Sequence, residues 1–166
     1  GYGDDVLWVG NTFGLGAFRG WDGQQPTMID PVASRTQRII SYGPLRTIVE
    51  VIDKNWKPYA DKPAITMTIR YTQYAGNRST DVDVFFDKDV KDYLFSTGII
   101  NVKESVEFSN KEGLRGCWGT DWPSSDHENF KPETVGLGIW IPQQYIRSEE
   151  PANKDNYAFV VGTDTS

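Results

Sequence analysis

Apolar and polar residues alternate with a period of two along much of the chain, and the most apolar run is a predicted hairpin. Its strands cover residues 35–42 and 45–53, with a Gly-Pro turn between them. The second strand is apolar on both faces, which is typical of a strand inside a sandwich. Arg46 and Glu50 lie on one of these faces, and buried charges need partners. The hairpin is therefore the first candidate for a functional site.

The same alternation predicts strands along the rest of the chain, separated by turns. These strands cover residues 6–9, 65–72, 82–87, 102–108, 114–119, 135–141 and 157–161. Residues 88–93 are predicted to make at most a single helical turn, whereas residues 120–132 and 147–156 are predicted loops. About ten strands without a long helix favour an all-β fold, an antiparallel β-sandwich. The length of 166 residues predicts that residues 1–166 form a single domain.

Composition removes several classes of partner. The net charge is −6 and the chain has no basic block, so a nucleic acid is not an expected partner. No apolar stretch approaches the length of a membrane span. The single Cys117 excludes a disulfide framework within the chain and provides no metal cluster.

Two stretches contain the residue types of cofactor or metal motifs but lack the spacing or context that those motifs need. Glycines at positions 10, 14 and 16 are not followed by a helical pattern, so they do not form a dinucleotide-binding motif. The aspartates between Asp81 and Asp89 alternate, but Phe85 and Phe86 occupy positions that break the EF-hand pattern. We therefore predict neither a cofactor nor a metal site.

The loop after residue 117 combines the residue types that sugar sites use. Trp118 and Trp122 offer flat apolar faces on which a sugar ring can stack. Asp121 and His127 are candidates for the acid or base of a proton transfer, as carboxylates are in glycoside chemistry. The alternative interpretation is a surface loop with a tryptophan tucked beneath it.

The predicted hairpin offers a second set of candidates. The planar fork of Arg46 is suited to a uronate carboxylate, with Tyr42 across the turn and Glu50 farther along the strand. The alternative is an ion pair that satisfies itself within the sheet. Trp21 is a third candidate, either as a stacking platform for a ligand or as a hairpin tip that closes the core.

Four short motifs occur in one order and together resemble a known family. They are Gly14-Leu-Gly-Ala-Phe18, Trp21-Asp-Gly23, Tyr42-Gly-Pro-Leu-Arg-Thr47 and Val135-Gly-Leu-Gly-Ile-Trp140. The chain resembles the later portion of the bacterial family catalogued as domain of unknown function forty-eight sixty-one, whose proteins are considerably longer. The abrupt start of the chain at Gly1 agrees with that interpretation.

The resemblance implies a galactose-mutarotase-like supersandwich, or part of one, in an exported protein of bacteria that degrade polysaccharides. Related polysaccharide lyases place Tyr, His or Arg around a uronate, and Tyr42, Arg46 and His127 fit those roles by residue type. Half a supersandwich would leave an open sheet edge, which invites aggregation. We therefore expect a missing segment of the same protein, or a partner chain, to cover that edge.

The leading functional hypothesis is a secreted or periplasmic carbohydrate-active protein, a lyase or hydrolase acting on uronate-containing oligosaccharides or polysaccharides. The alternatives are a non-catalytic carbohydrate-binding module and a structural sandwich packed on a catalytic domain. Arg46 close to His127 or Asp121 would favour an enzyme. A row of exposed tryptophans would favour binding, and tryptophans buried throughout would favour a scaffold.

Overall fold

Strands make up nearly all of the regular structure in the computed structural model, which describes residues 4–163. The strands are β1 (Arg19–Trp21), β2 (Pro26–Thr27), β3 (Ser34–Tyr42), β4 (Arg46–Trp56), β5 (Ile65–Tyr74), β6 (Thr80–Phe86), β7 (Phe95–Ile100), β8 (Val106–Ser109), β9 (Leu114–Asp121), β10 (Glu133–Trp140), β11 (Ile146–Glu149) and β12 (Asn156–Val161). Within residues 4–163 a single 3-10 turn, Gln143–Tyr145, is the only helical element. The chain is therefore all-β, as the alternation predicted.

The contacts divide the chain into two compact units. The first unit contains residues 1–26 and 91–166, and the second contains residues 27–90. Each unit is described by itself below. No helix in the described part of the chain is long and apolar enough to cross a membrane.

The first unit is an antiparallel β-sandwich. One sheet has the order β11-β12-β7-β1-β2, and the other has the order β10-β9-β8. Ile99, Ile100 and Tyr157 of the larger sheet are buried together with Cys117 of the smaller one. Every residue of β7 and β12 is buried, so these two strands form the centre of the unit.

Arg115 links the two sheets of this sandwich from a fully buried position. Its side chain is 1% exposed, and its Nε donates to Glu107 Oε1 at 2.8 Å. Its Nη1 donates to the carbonyl oxygens of Glu150 and Ala158, each at 2.8 Å. A buried charge is tolerated here because its donors reach both a carboxylate and backbone acceptors.

The second unit is built on one four-stranded antiparallel sheet with the order β3-β4-β5-β6. The predicted hairpin is confirmed as β3 and β4, and β4 lies between β3 and β5. The apolar residues on the two faces of β4, such as Val49 and Ile52, are half-buried rather than buried. All nine residues of β3 are exposed, as befits a strand at the sheet edge.

Some predicted boundaries were wrong. Residues 6–9 form no strand, and a turn follows them in which the backbone N–H of Thr12 donates to the Val9 carbonyl. Residues 88–93 contain no helical turn, and the third alternating strand begins only at Val106.

Besides the very short β1 and β2, two strands were missed. Strand β11 lies within a stretch predicted to be loop, and it pairs with β12 at the edge of its sheet, where polar side chains remain in solvent. Strand β7 contains Gly98, where a Cβ would lie 2.2 Å from the Tyr157 carbonyl oxygen, so that only glycine fits. The interior glycine hid this strand from a pattern based on β propensity.

Candidate functional site

The smaller sheet of the first unit has one face packed on the core and one open face with large apolar side chains. We call the open side the aromatic face. Trp118 and Trp140 dominate it, with 64% and 67% exposure. A period of two along each strand places its members on one side, opposite Cys117 and the packed residues of β10. The aromatic face consists of Val106, Phe108, Leu114, Trp118 and Trp140.

Glycines form the floor of the aromatic face between the two indoles. Trp118 pairs with Gly136 across β9 and β10, and a Cβ on Gly136 would lie 3.0 Å from the Trp118 Cε3 atom. The Trp118 ring therefore lies over Gly136. Gly138 pairs with Gly116, and Trp140 follows Gly136 by four residues, about 13 Å along the strand. The result is a flat floor with an exposed indole on each side.

A cleft in the same unit contains Asp121, and we call it the Asp121 cleft. Its volume is about 270 Å³. Trp8 lines it with 58% exposure, and the Trp8 indole N–H donates to the Trp122 carbonyl at 2.7 Å. One oxygen of Asp121 accepts the backbone N–H of Trp122 at 2.8 Å. The complete lining is Val6, Trp8, Thr12, Ile100, Asn101, Val102, Lys103, Asp121, Lys154 and Asp155.

His127 lies in the loop that follows β9, outside the lining of the Asp121 cleft. Its ring stacks on Trp122 with the centroids 3.9 Å apart and an interplanar angle of 19°. Next to it, hydrogen bonds from Asn129 hold the pKa of Asp126 below its usual value. Trp122 is half-buried beneath His127, so one indole face is already occupied.

Glu50 is buried between two arginines of the neighbouring strands. Arg70 and Arg38 each place an Nη2 atom 2.6 Å from a different Glu50 oxygen. The hydrogen bonds from Arg70, followed by those from Arg38, lower the pKa of Glu50. Arg46 lies on the same face but is exposed, and among the described contacts it makes none with Glu50. The charge of Glu50, for which the sequence indicated no partner, is thus paired with arginines on β3 and β5.

The remaining candidate residues are divided between the two units. Tyr42 is 82% exposed at the end of β3, and it belongs with Arg46 to the second unit. Asp121 and His127 belong to the first. Trp21 is only 7% exposed in β1, so its ring presents little surface for stacking and contributes to the core.

Sequence reasoning missed Trp140 and Trp8. A signal for Trp140 was present, because Gly136, Gly138 and Trp140 alternate with the apolar residues that face the core. Trp8 gave no comparable signal, since its exposure depends on an irregular segment. Within residues 4–163, no group of three or more His, Cys, Asp or Glu side chains is placed to hold a metal ion.

Comparison with known families matches residues 1–166 to a domain of unknown function, DUF4861, the family whose motifs the sequence resembles. Comparison with curated proteins and with solved structures finds no match. The match covers the whole chain, so the chain belongs to the family of the domain of unknown function DUF4861.

Proposed function

We propose that this chain binds carbohydrate on its aromatic face, as part of a secreted or periplasmic bacterial system that degrades polysaccharides. The observation that carries the proposal is the pair of exposed indoles, Trp118 and Trp140, on a glycine floor. Large aromatic side chains gathered on an open surface mark a binding site rather than ordinary surface. A tryptophan contributes a wide, rigid apolar face, which suits the CH face of a sugar ring.

The shape of the floor favours a sugar chain over a protein partner. Gly116, Gly136 and Gly138 present backbone without side chains, so a flat ligand can approach closely. Beside Trp118, the hydroxyls of Thr120 and Thr134 lie 2.7 Å apart and supply donors and acceptors for sugar hydroxyls. The competing hypothesis is that this chain is a structural sandwich and that a catalytic domain covers the aromatic face. The experiment must distinguish that domain from a glycan.

The experiment measures binding of neutral and acidic polysaccharides to the wild-type chain, Trp118→Ala and Trp140→Ala. We expect each variant to weaken binding about tenfold or more, as is usual when a central aromatic contact is truncated. Phe130→Ala is the control, since Phe130 is an exposed aromatic residue of the same unit outside both the aromatic face and the Asp121 cleft. Unchanged affinity in both aromatic-face variants, or no binding to any glycan, would contradict the proposal.

A second candidate function is hydrolysis of a glycosidic bond in the Asp121 cleft. The observation that favours it is that Asp121 and Asp155 line one cleft beside an exposed Trp8. In this chemistry one carboxylic acid donates its proton to the leaving glycosidic oxygen, and the other carboxylate takes a proton from the attacking water. Product analysis with Asp121→Asn tests it. Loss of product with glycan binding retained would support hydrolysis here, and an unchanged rate would exclude Asp121 from it.

A further inference from the structure

The most organised charged cluster of the second unit is a row that crosses three strands. Arg38, Glu50 and Arg70 are direct neighbours in the registers of β3, β4 and β5, so their side chains share one face. The Glu50 side chain is 2% exposed, whereas those of Arg38 and Arg70 are 62% and 40% exposed. The carboxylate is therefore enclosed while both guanidinium groups reach solvent.

Each arginine binds Glu50 through only part of its donor set. Arg38 donates Nε and Nη2 to Glu50 Oε2, at 2.8 and 2.6 Å. Arg70 donates Nε and Nη2 to Oε1, at 3.0 and 2.6 Å. A guanidinium has five N–H groups, so Nη1 and the second N–H of Nη2 are left on both arginines. Among the described contacts, neither Nη1 atom has a hydrogen-bond acceptor.

The two guanidinium groups are held in place before any ligand arrives. Glu50 fixes both from below, and Arg70 also packs over the Phe85 ring with its Cζ 5.1 Å from the centroid. An arginine fork positioned in this way loses less side-chain freedom when it binds a planar carboxylate. The trio carries a net charge of about +1 at neutral pH, since guanidinium groups stay protonated.

The surroundings of the row match a sugar that carries an acid group. Hydroxyl side chains occupy the same face in the rows on both sides, namely Thr36 and Thr68 on one side and Ser41 on the other, whereas Thr72 is buried. Asp83 pairs with Arg70 from β6 and is exposed, which opposes an anion on that side. The favourable approach is therefore from the side of Arg38.

We propose that Arg38 and Arg70, positioned by Glu50, bind the carboxylate of a uronic acid residue in an acidic glycan. This proposal rests on the proposed carbohydrate-binding function and adds to it a separate contact region, in the second unit, for acidic glycans. It assigns the carboxylate-binding role to this arginine pair, on the same sheet face as Arg46. Glu50 is a positioning residue, since it acts through the two arginines.

The test measures binding of trigalacturonic acid by calorimetry, with its methyl ester and sodium sulfate as comparison ligands. We expect Arg38→Ala and Arg70→Ala each to lower the affinity for the acid about tenfold or more, the scale of a charged hydrogen bond. The methyl ester should bind equally to the variants and the wild type. Arg78→Ala is the control, an exposed arginine in the turn between β5 and β6 of the same unit.

Two further variants separate preorganisation from charge. Arg38→Lys keeps the charge but lacks the fork, so we expect weaker binding of the acid. Asp83→Asn removes the opposing charge, so we expect tighter binding. The Nε–Hε resonances of Arg38 and Arg70 should shift on addition of the acid, which a purely structural ion pair would not produce.

Each outcome decides the proposal. If the acid binds but Arg38→Ala and Arg70→Ala leave its affinity unchanged, the arginine pair is excluded while carbohydrate binding stands. If sodium sulfate shifts the same resonances as strongly as the acid does, the site accepts any oxyanion and the assignment to a uronate is overturned. If no glycan binds at all, the proposed function fails with it.

Discussion

The indole of Trp118 lies over Gly136, so closely that a Cβ on that glycine would be 3.0 Å from the ring atom Cε3. This contact fixes the position of the ring on the aromatic face, and it predicts the effect of a single methyl group. Gly136→Ala should displace the exposed indole and weaken glycan binding about fivefold, which corresponds to about 1 kcal/mol of binding free energy.

Gly138→Ala is the matched control for that substitution, because its Cβ would meet nothing nearer than the Arg115 carbonyl oxygen at 4.0 Å. Nuclear magnetic resonance of the indole N–H groups measures the displacement directly. The Trp118 resonance should move in Gly136→Ala and stay in place in Gly138→Ala. An unmoved resonance in both would contradict the contact.

Arg115 should be a major source of stability in the first unit. Replacement by Met removes the hydrogen bonds that Arg115 donates to Glu107 and to the Ala158 carbonyl. We expect Arg115→Met to lower the free energy of unfolding by about 1–3 kcal/mol, the cost of leaving a buried acceptor without a hydrogen bond. Urea denaturation measures the loss.

Arg46→Ala serves as the control in that comparison, because Arg46 is exposed. Its free energy of unfolding should stay within about 0.5 kcal/mol of the wild type. Equal stabilities of the Arg115→Met variant and the wild type would show that the buried guanidinium contributes nothing net.

Cys117 should be unreactive in the folded protein. Its side chain is buried, and burial raises the pKa of its thiol. Only the thiolate attacks a disulfide reagent, so Ellman's reagent should react slowly with the native chain and rapidly after denaturation in urea. Rapid reaction of the native chain would mean that the core around Cys117 opens frequently.

Glu50 should contribute to the loss of stability in acid. Hydrogen bonds from Arg70 and Arg38 lower its pKa in the folded state below the usual 4.5. Its contribution is therefore present above pH 4.5 and is lost as the pH falls through the lowered folded-state value. We expect Glu50→Gln to be less stable than the wild type at pH 7 and to lose less stability on acidification.

Urea midpoints at neutral pH and in acid provide the measurement for that prediction. Glu112→Gln, a change at an exposed carboxylate, is the control and should follow the wild-type curve. A Glu50→Gln curve parallel to that of the wild type would show that the arginine pair does not stabilise the folded carboxylate.

Alternation predicted the strands whose two faces differ most in burial. In β5, Ile65, Met67 and Ile69 are buried and the threonines between them are half-exposed, so the period of two is visible in the letters. The hairpin of β3 and β4 could also be predicted from the sequence. Strands β7 and β12 are buried on both faces. Strand β12 has no glycine and was predicted, whereas β7 contains Gly98 and was missed.

The candidate site was predictable only in part. Trp118 was a candidate from the sequence and is exposed in the structure, whereas the other large aromatic residue on its face, Trp140, is separated from it by a long loop in the sequence. Glu50 was recognised as a charge in need of partners. Its partners could not be named, because the strand register that aligns Arg38 and Arg70 with it is a property of the folded sheet.

The six tryptophans differ in burial, so their fluorescence can report on ligand binding. Trp56 and Trp21 are shielded, at 1% and 7% exposure, while Trp118 and Trp140 stand open to solvent. Iodide should therefore quench one fraction of the emission and spare another. A ligand stacked on the aromatic face would protect part of the quenchable fraction, while Trp8 in the Asp121 cleft would stay quenchable, so a titration reports binding without a label.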